Sequence, residues 1–337
     1  MKTIAFFNNK GGVGKTSLVY HLTWTYADLG LKIIAADFDP QANLTSMFLR
    51  EERLVNLWPE EGQGQPQSIL ATVKPILKGT GDIAPPYVES VTTEIGLIVG
   101  DLGLSLFEDK LSDAWPRCLD RDEAAFRIIS AFYRILVLAA QQQEAEIVLI
   151  DVGPNLGAIN RAALIAADYV VIPLAPDLFS LQGLKNLGPR LRDWREGWQE
   201  RLSKNTDKDL VLPTGQMQPA GYVILQHNVR SDRPVKAYSR WMEKMPATYR
   251  QEVRYEKNVK RPPTVEKDKY CLATLKHYRS LMPLAMEVHK PMFHLKAADG
   301  AIGSHISAAK DCGKDFAGLA HKIAKACEFE EILPNYK

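Results

Sequence analysis

The segment Asn9-Lys10-Gly11-Gly12-Val13-Gly14-Lys15-Thr16 follows directly on an apolar run, Thr3-Ile4-Ala5-Phe6-Phe7, and precedes a stretch of helical character. A buried strand, a glycine-rich turn, Lys-Thr and a helix in that order constrain the fold more than any other feature, because together they form a phosphate-binding loop. Glycines at 11, 12 and 14 let successive backbone N–H groups curl onto an anion, and the helix that follows presents its positive end to the same charge. Within Lys10 to Ser17, Lys15 is the point charge for the β- and γ-phosphates and Thr16 the hydroxyl ligand for Mg²⁺. The strict pattern requires glycine at position 9; this chain has Asn9 there and a second lysine, Lys10, inside the loop. A dinucleotide-binding turn is excluded by spacing, since its third glycine would fall on Ser17.

Downstream, strand and helix signals alternate, which predicts an α/β fold: a mostly parallel twisted sheet with helices on both faces. A helix over 15–29 stops at Gly30, and a strand over 32–36 delivers Asp37-Phe38-Asp39-Pro40-Gln41 beside the loop, where open α/β sheets bind ligands. Further strands are expected at 95–99, 146–151, 169–173 and 221–225, with helices near 121–143 and 180–194. The strand Glu146-Ile147-Val148-Leu149-Ile150 ends in Asp151, the second acidic station at which a carboxylate holds Mg²⁺, commonly through water.

The formal net charge is only +2, but residues 230–279 hold 14 Lys/Arg against 6 Asp/Glu, with tyrosines and a tryptophan interspersed. Such a stripe suits a polyphosphate backbone, and Arg250, Arg254, Lys257, Lys260 and Arg261 are its candidate DNA contacts. The four cysteines are widely spaced, so no disulfide framework or cluster site is expected. No apolar run reaches membrane-spanning length and no signal peptide precedes the first strand, so the expected compartment is the cytoplasm. Phe316, Leu319, Ala320, Ile323 and Cys327 recur at helical spacing over 314–327, which predicts core packing rather than a membrane helix.

These motifs are similar to those of the ParA branch of the ParA/MinD family of deviant phosphate-loop ATPases. The resemblance rests on Lys10 to Thr16, on Asp37-Phe38-Asp39-Pro40-Gln41 with Asn43-Leu44-Thr45, and on Asp151-Val152-Gly153-Pro154-Asn155-Leu156-Gly157. It continues through Ala167 to Pro173 and Phe179 to Leu184. It implies ATP and Mg²⁺ as ligands and a homodimer that sandwiches ATP, with Lys10 crossing to the phosphates of the other subunit. It also implies that Asp39 positions the attacking water, that Asp37 and Asp151 lie near Mg²⁺, and that Gln226 lies near the base. Gly153 departs from the family pattern by replacing the first proline of a pair, which is expected to loosen that turn.

The expected organisation is a single ATPase domain over 1–337 with a basic elaboration at about 230–280 and no N-terminal helix-turn-helix, because the loop begins at residue 10. Two functional readings follow. In one, the ATP-bound dimer grips nonspecific DNA and positions a cargo, with a ParB-like adaptor stimulating hydrolysis. In the other, dimerisation switches a protein complex and the basic segment meets an acidic partner. Membrane binding is not expected, since the chain ends in an acidic stretch broken by Pro334.

Overall fold

The computed structural model describes residues 1–60, 63–225, 235–257, 259, 262–278 and 280–333, and of residues 235–238 only the helical backbone. Eight strands form one sheet: β1 (Lys2–Phe6), β2 (Ile33–Asp37), β3 (Glu89–Ser90), β4 (Ile95–Ile98), β5 (Ile147–Asp151), β6 (Tyr169–Leu174), β7 (Gln218–Leu225) and β8 (Cys271–Leu275). Their order is β3-β4-β2-β5-β1-β6-β7-β8, and every pairing is parallel except β3 with β4. The helices are α1 (Lys15–Asp28), α2 (Asn43–Phe48), α3 (Glu51–Leu57), α4 (Ile69–Lys78), α5 (Phe107–Arg117), α6 (Glu123–Ile129) and α7 (Ala131–Gln143). They continue with α8 (Ala158–Ile165), α9 (Leu178–Leu202), α10 (Val235–Met242), α11 (Met245–Thr248), α12 (Leu281–Glu287) and α13 (Ser304–Ala326).

The central strands are apolar on both faces because helices cover both, as parallel crossovers require. Alternate residues feed two cores. Ala5, Phe7, Ile34, Ala36, Val148 and Ile150 pack with residues of α4 to α9 on one side. Ile4, Phe6, Ile33, Ala35, Ile147 and Leu149 pack with α1, α2, α12 and α13 on the other. Strand register then aligns the chemistry, for Phe6 of β1 and Asp37 of β2 both lie opposite Asp151 of β5. One end of the sheet therefore carries the phosphate loop and both acidic strand ends in a single row.

Several expected elements change length. The helix over 121–143 is two helices broken at Ser130, whose hydroxyl bonds back to Phe126 O at 2.7 Å and competes with the helical ladder. The helix near 180–194 starts earlier, where Asp177 caps it by accepting from Ser180 N at 2.8 Å, and runs to Leu202. The half-exposed β8 is an addition that the basic composition around it concealed. Part of that basic segment is packed tightly against α9: a Cβ on Gly188 would lie 1.9 Å from Glu252 O. Phe316, Leu319, Ala320, Ile323 and Cys327 are buried, as core packing predicts. No helix among the described residues is long and apolar enough to cross a membrane.

Candidate nucleotide site

Chain reversal after β1 puts Gly12 and Gly14 at φ 73° and 78°, backbone that L-residues with side chains rarely adopt. Gly14 is needed for space as well, since a Cβ there would lie 2.8 Å from Leu225 Cδ1. The loop wraps a cavity of about 460 Å³ lined by Gly11, Gly12, Gly14, Lys15, Thr16 and Ser17, and also by Asp39 and Pro154. Lys15 is 7% exposed, and its ammonium donates to Lys10 O at 3.3 Å. Burial lowers its pKa, and Asp151 and Asp39 oppose that shift by stabilising the charged form. The loop thus sets a buried cation beside the cavity, an arrangement that suits an anion.

The two strand-end carboxylates have different surroundings. Asp37 is fully buried and its Oδ2 accepts from both Thr45 N and Thr45 Oγ1 at 2.8 Å, while Thr45 Oγ1 accepts from Gly100 N at 2.8 Å. Burial pushes its pKa up to about 7 against those hydrogen bonds. Both oxygens of Asp151, by contrast, are buried without a hydrogen-bond partner, and Thr16 and Lys15 are its neighbours. Burial drives the Asp151 pKa well up, Asp37 adds to the shift, and a cation would reverse it. Asp151 with Thr16 therefore fits a hard, oxygen-preferring ion such as Mg²⁺. Asp37 lies opposite Asp151 in the sheet, and its Oδ2 holds Thr45, which in turn holds Gly100.

Asp39 is 7% exposed, and its Oδ1 accepts from Gln41 N at 3.0 Å. Gly153 lies against it, and the turn is not loose. Asn160, fully buried on α8, donates to Gly153 O at 2.8 Å and Asn155 O at 2.7 Å, so a side-chain amide five to seven residues on holds the turn.

Lys10 points elsewhere. Its ammonium pairs with the Asp177 carboxylate and lies 5.7 Å from the ring centre of Phe179, which is 71% exposed. Asn8 and Asn9 approach α9 closely because Gly183 has no side chain; a Cβ there would lie 3.1 Å from Asn9 Oδ1.

A second cavity, about 190 Å³ and mainly apolar, adjoins the first across Gly14, Ser17 and Met282 and is lined by Leu18, Leu225, Leu275, Met292 and Phe316. Most of these residues went unread in the sequence, where nothing in the local pattern separates a pocket-lining leucine from a core one. Gln226, the sequence candidate for base recognition, lies outside the described residues, as do Lys260 and Arg261.

Among the basic candidates, Arg254 and Lys257 are exposed. Arg250 is half-buried and engaged within the chain: it pairs with Asp268 at 2.6 Å and Glu256 at 3.1 Å, and Tyr222 OH donates to the same Asp268 at 2.8 Å. Two carboxylates therefore compete with any duplex for this candidate contact. Three of the four cysteines are buried and Cys271 is partly so, and burial raises all four thiol pKa values, consistent with inert thiols. Among the described residues no cluster of three His, Cys, Asp or Glu is arranged to hold a metal.

Residues 1–204 match a family model described as an AAA domain. Protein IncC of Escherichia coli is 30% identical over 58% of this chain, which spans about half of that relative (47%). The chromosome-partitioning ATPase Soj of Treponema pallidum is 30% identical over 60% of this chain and 68% of its own length. Among solved structures, protein DIP2308 of Corynebacterium diphtheriae has a TM-score of 0.70 at 23% identity, covering 97% of this chain and 98% of its own. The ATP complex of McdA from Cyanothece has a TM-score of 0.63 at 15% identity over 99% of each chain, a likeness of fold.

Proposed function

The chain belongs to the AAA-domain family, among ParA-type relatives, and on that premise we propose that it is a Mg-ATPase whose ATP-bound dimer holds DNA and positions a cargo. The observation that carries the reading is the pairing of a phosphate cradle with an unpartnered buried carboxylate: Gly11 to Thr16 around one cavity, and Asp151 beneath it. Bound Mg²⁺ would supply charge neutralisation of the phosphates, with Thr16 and Asp151 as its holders. Lys15 binds the phosphates as a fixed point charge. Asp39, which lines the same cavity, orients a water for attack on the terminal phosphorus.

The apolar cavity beside Ser17 receives the base, whose flat faces are enclosed by Leu225, Met282 and Phe316. Lys10 leaves Asp177 to reach the phosphates of a second subunit, so that turnover depends on dimerisation, as with an arginine finger. Arg254 and Lys257 remain the described candidates for phosphodiester contact, and a cargo-bound adaptor that stimulates hydrolysis completes the cycle.

The test is light scattering and duplex retention with ADP and with a nonhydrolysable ATP analogue. A dimer and salt-sensitive duplex binding with the analogue alone are expected. A monomer in both states overturns the sandwich, and a dimer that retains no duplex at low salt overturns the DNA reading in favour of a protein partner. Asp39→Ala should retain ATP; rapid hydrolysis in that variant removes Asp39 from its role.

A further inference from the structure

Gly153 and Asn160 are not among the residues that line the loop cavity, yet they lie close to Asp39, Gly153 directly and Asn160 through Gly153. A Cβ built on Gly153 would sit 3.1 Å from Asp39 Oδ1, 3.4 Å from its Cγ and 3.6 Å from its Oδ2. Gly153 is not among the residues of positive φ, so glycine is present here for room rather than for backbone freedom. The family pattern that this chain otherwise resembles has proline at this position, which would bring a Cβ and a ring against the carboxylate.

The height of Gly153 above Asp39 is set from α8. Asn160 is 0% exposed, and its amide donates to Gly153 O at 2.8 Å, Asn155 O at 2.7 Å and Asn155 Oδ1 at 3.1 Å. Asn155 Oδ1 in turn accepts from Gly157 N at 2.9 Å. The helix that carries Asn160 is itself anchored from a separate element: the Glu108 carboxylate of α5 accepts from Ala158 N and, at 2.8 Å, from Ile159 N. Hydrogen bonds on either side of residues 158–160 thus link α5, the start of α8 and the Gly153 peptide, whose Cα faces the Asp39 carboxylate. Across the turn, Phe38 N donates to Asp151 O at 3.0 Å, which ties the Asp39 backbone to the same strand end.

We infer that Asn160 and Gly153 are positioning residues for hydrolysis: Asn160 fixes the 153–155 turn, and the bare Cα of Gly153 sets where the Asp39 carboxylate can lie. The inference rests on the reading of Asp39 as the residue that orients the attacking water. A methyl group at 153 displaces that carboxylate by a few tenths of an ångström and removes water from one side of it. Reaction geometry is sensitive to such displacements, whereas phosphate binding by the loop is not, because none of Gly11 to Ser17 moves.

The experiment measures single-turnover hydrolysis and equilibrium ATP affinity for Gly153→Ala, Asn160→Asp, Asp39→Ala and the double variant Gly153→Ala/Asp39→Ala. Gly153→Ala is expected to slow hydrolysis about tenfold with ATP affinity within about twofold of the parent. Asn160→Asp, which replaces the donor by an acceptor facing three oxygens, should give the same split. Because Gly153 acts through Asp39, adding Gly153→Ala to Asp39→Ala should change nothing further, a non-additivity that a merely structural role would not produce. If Asp39→Ala is slow and Gly153→Ala is as fast as the parent, or if the two effects multiply, the inference fails and the Asp39 reading stands. If Asp39→Ala hydrolyses at the parental rate, that reading fails and takes the inference with it. Should Asn160→Asp fail to fold, the Gly153 cycle decides alone.

Discussion

The Lys10 ammonium is held by the carboxylate of Asp177, the residue that caps α9, so the loop's second lysine is engaged within its own chain. Burial pushes the Asp177 carboxyl up, but Lys10 and the Ser180 N–H outweigh it and hold the pKa below the usual range. The pair is about one-third exposed, which limits its strength to that of a surface ion pair, up to about 1 kcal/mol. A pair of that strength biases the direction of Lys10 without fixing it.

Asp177→Asn keeps an oxygen for the Ser180 cap while removing the charge. It should therefore lower the apparent dissociation constant of the ATP-analogue dimer by about two- to fivefold, the factor that corresponds to 0.4–1 kcal/mol. Sedimentation with a nonhydrolysable analogue reads the shift; weaker dimerisation would mean that Asp177 assists the dimer instead of holding Lys10 back. Lys10→Ala should remove dimer-linked hydrolysis with nucleotide affinity largely kept.

Lys15→Ala deletes the buried cation at the cavity floor. Nucleotide affinity should fall at least tenfold, about 1.4 kcal/mol, because the variant loses a desolvated charge aimed at phosphate. Titration with a fluorescent ATP analogue checks this, and an unchanged affinity would rule out the phosphate-loop reading.

His21 predicts an acid limb of stability. It is fully buried, its Nδ1 lies 2.8 Å from Ser17 O, and its Nε2 accepts from Met292 N at 3.2 Å, so both nitrogens are used by the neutral ring. Burial lowers its pKa to about 4. Between that value and the ordinary 6.5 the unfolded chain binds a proton that the folded chain does not, so stability falls as pH falls through this window. The loss approaches about 3 kcal/mol near pH 4. Urea melts at pH 7 and pH 4.5 should differ more for the parent than for His21→Gln; equal differences would remove His21 as the cause.

Two glycine substitutions should move stability in opposite directions. Gly188→Ala drives a methyl into the Glu252 carbonyl and should cost about 1–3 kcal/mol or more. Gly318, inside α13, has nothing within 4 Å of a built Cβ, so Gly318→Ala should gain about 0.5–1 kcal/mol from helix propensity. Thermal melts of the pair test both, and a neutral Gly188→Ala would mean that α9 and the 249–253 segment can separate freely.

Much of the molecule was legible before its structure. Apolar strands ending in Asp37 and Asp151, and a glycine loop opening a helix, are local patterns whose backbone requirements leave little choice of conformation. They yielded the parallel sheet, the place of the phosphate cavity and the buried face of α13. Legibility ended where side chains distant in sequence compete for one another. Ser130 broke a helix that periodicity ran straight through, and β8 was hidden because only five residues, Cys271–Leu275, carry it amid a basic segment.

By itself, then, the sequence determined that this chain builds a phosphate loop on a parallel sheet with two acidic strand ends beside it. The tertiary structure alone decided what each charged group does. Asp37 and Asp151 are equivalent as strand-end carboxylates, yet Thr45 donates twice to one at 2.8 Å, while the other is fully buried with only Thr16 and Lys15 acting to hold its charge. Arg250 belongs to a basic stripe in sequence and to an ion pair with the buried Asp268 in space, while Lys10 meets a partner 167 residues away. The reason is physical: the role of a buried charge is set by desolvation and by which opposite charge or dipole lies within a few ångströms, and both arise only when distant segments pack.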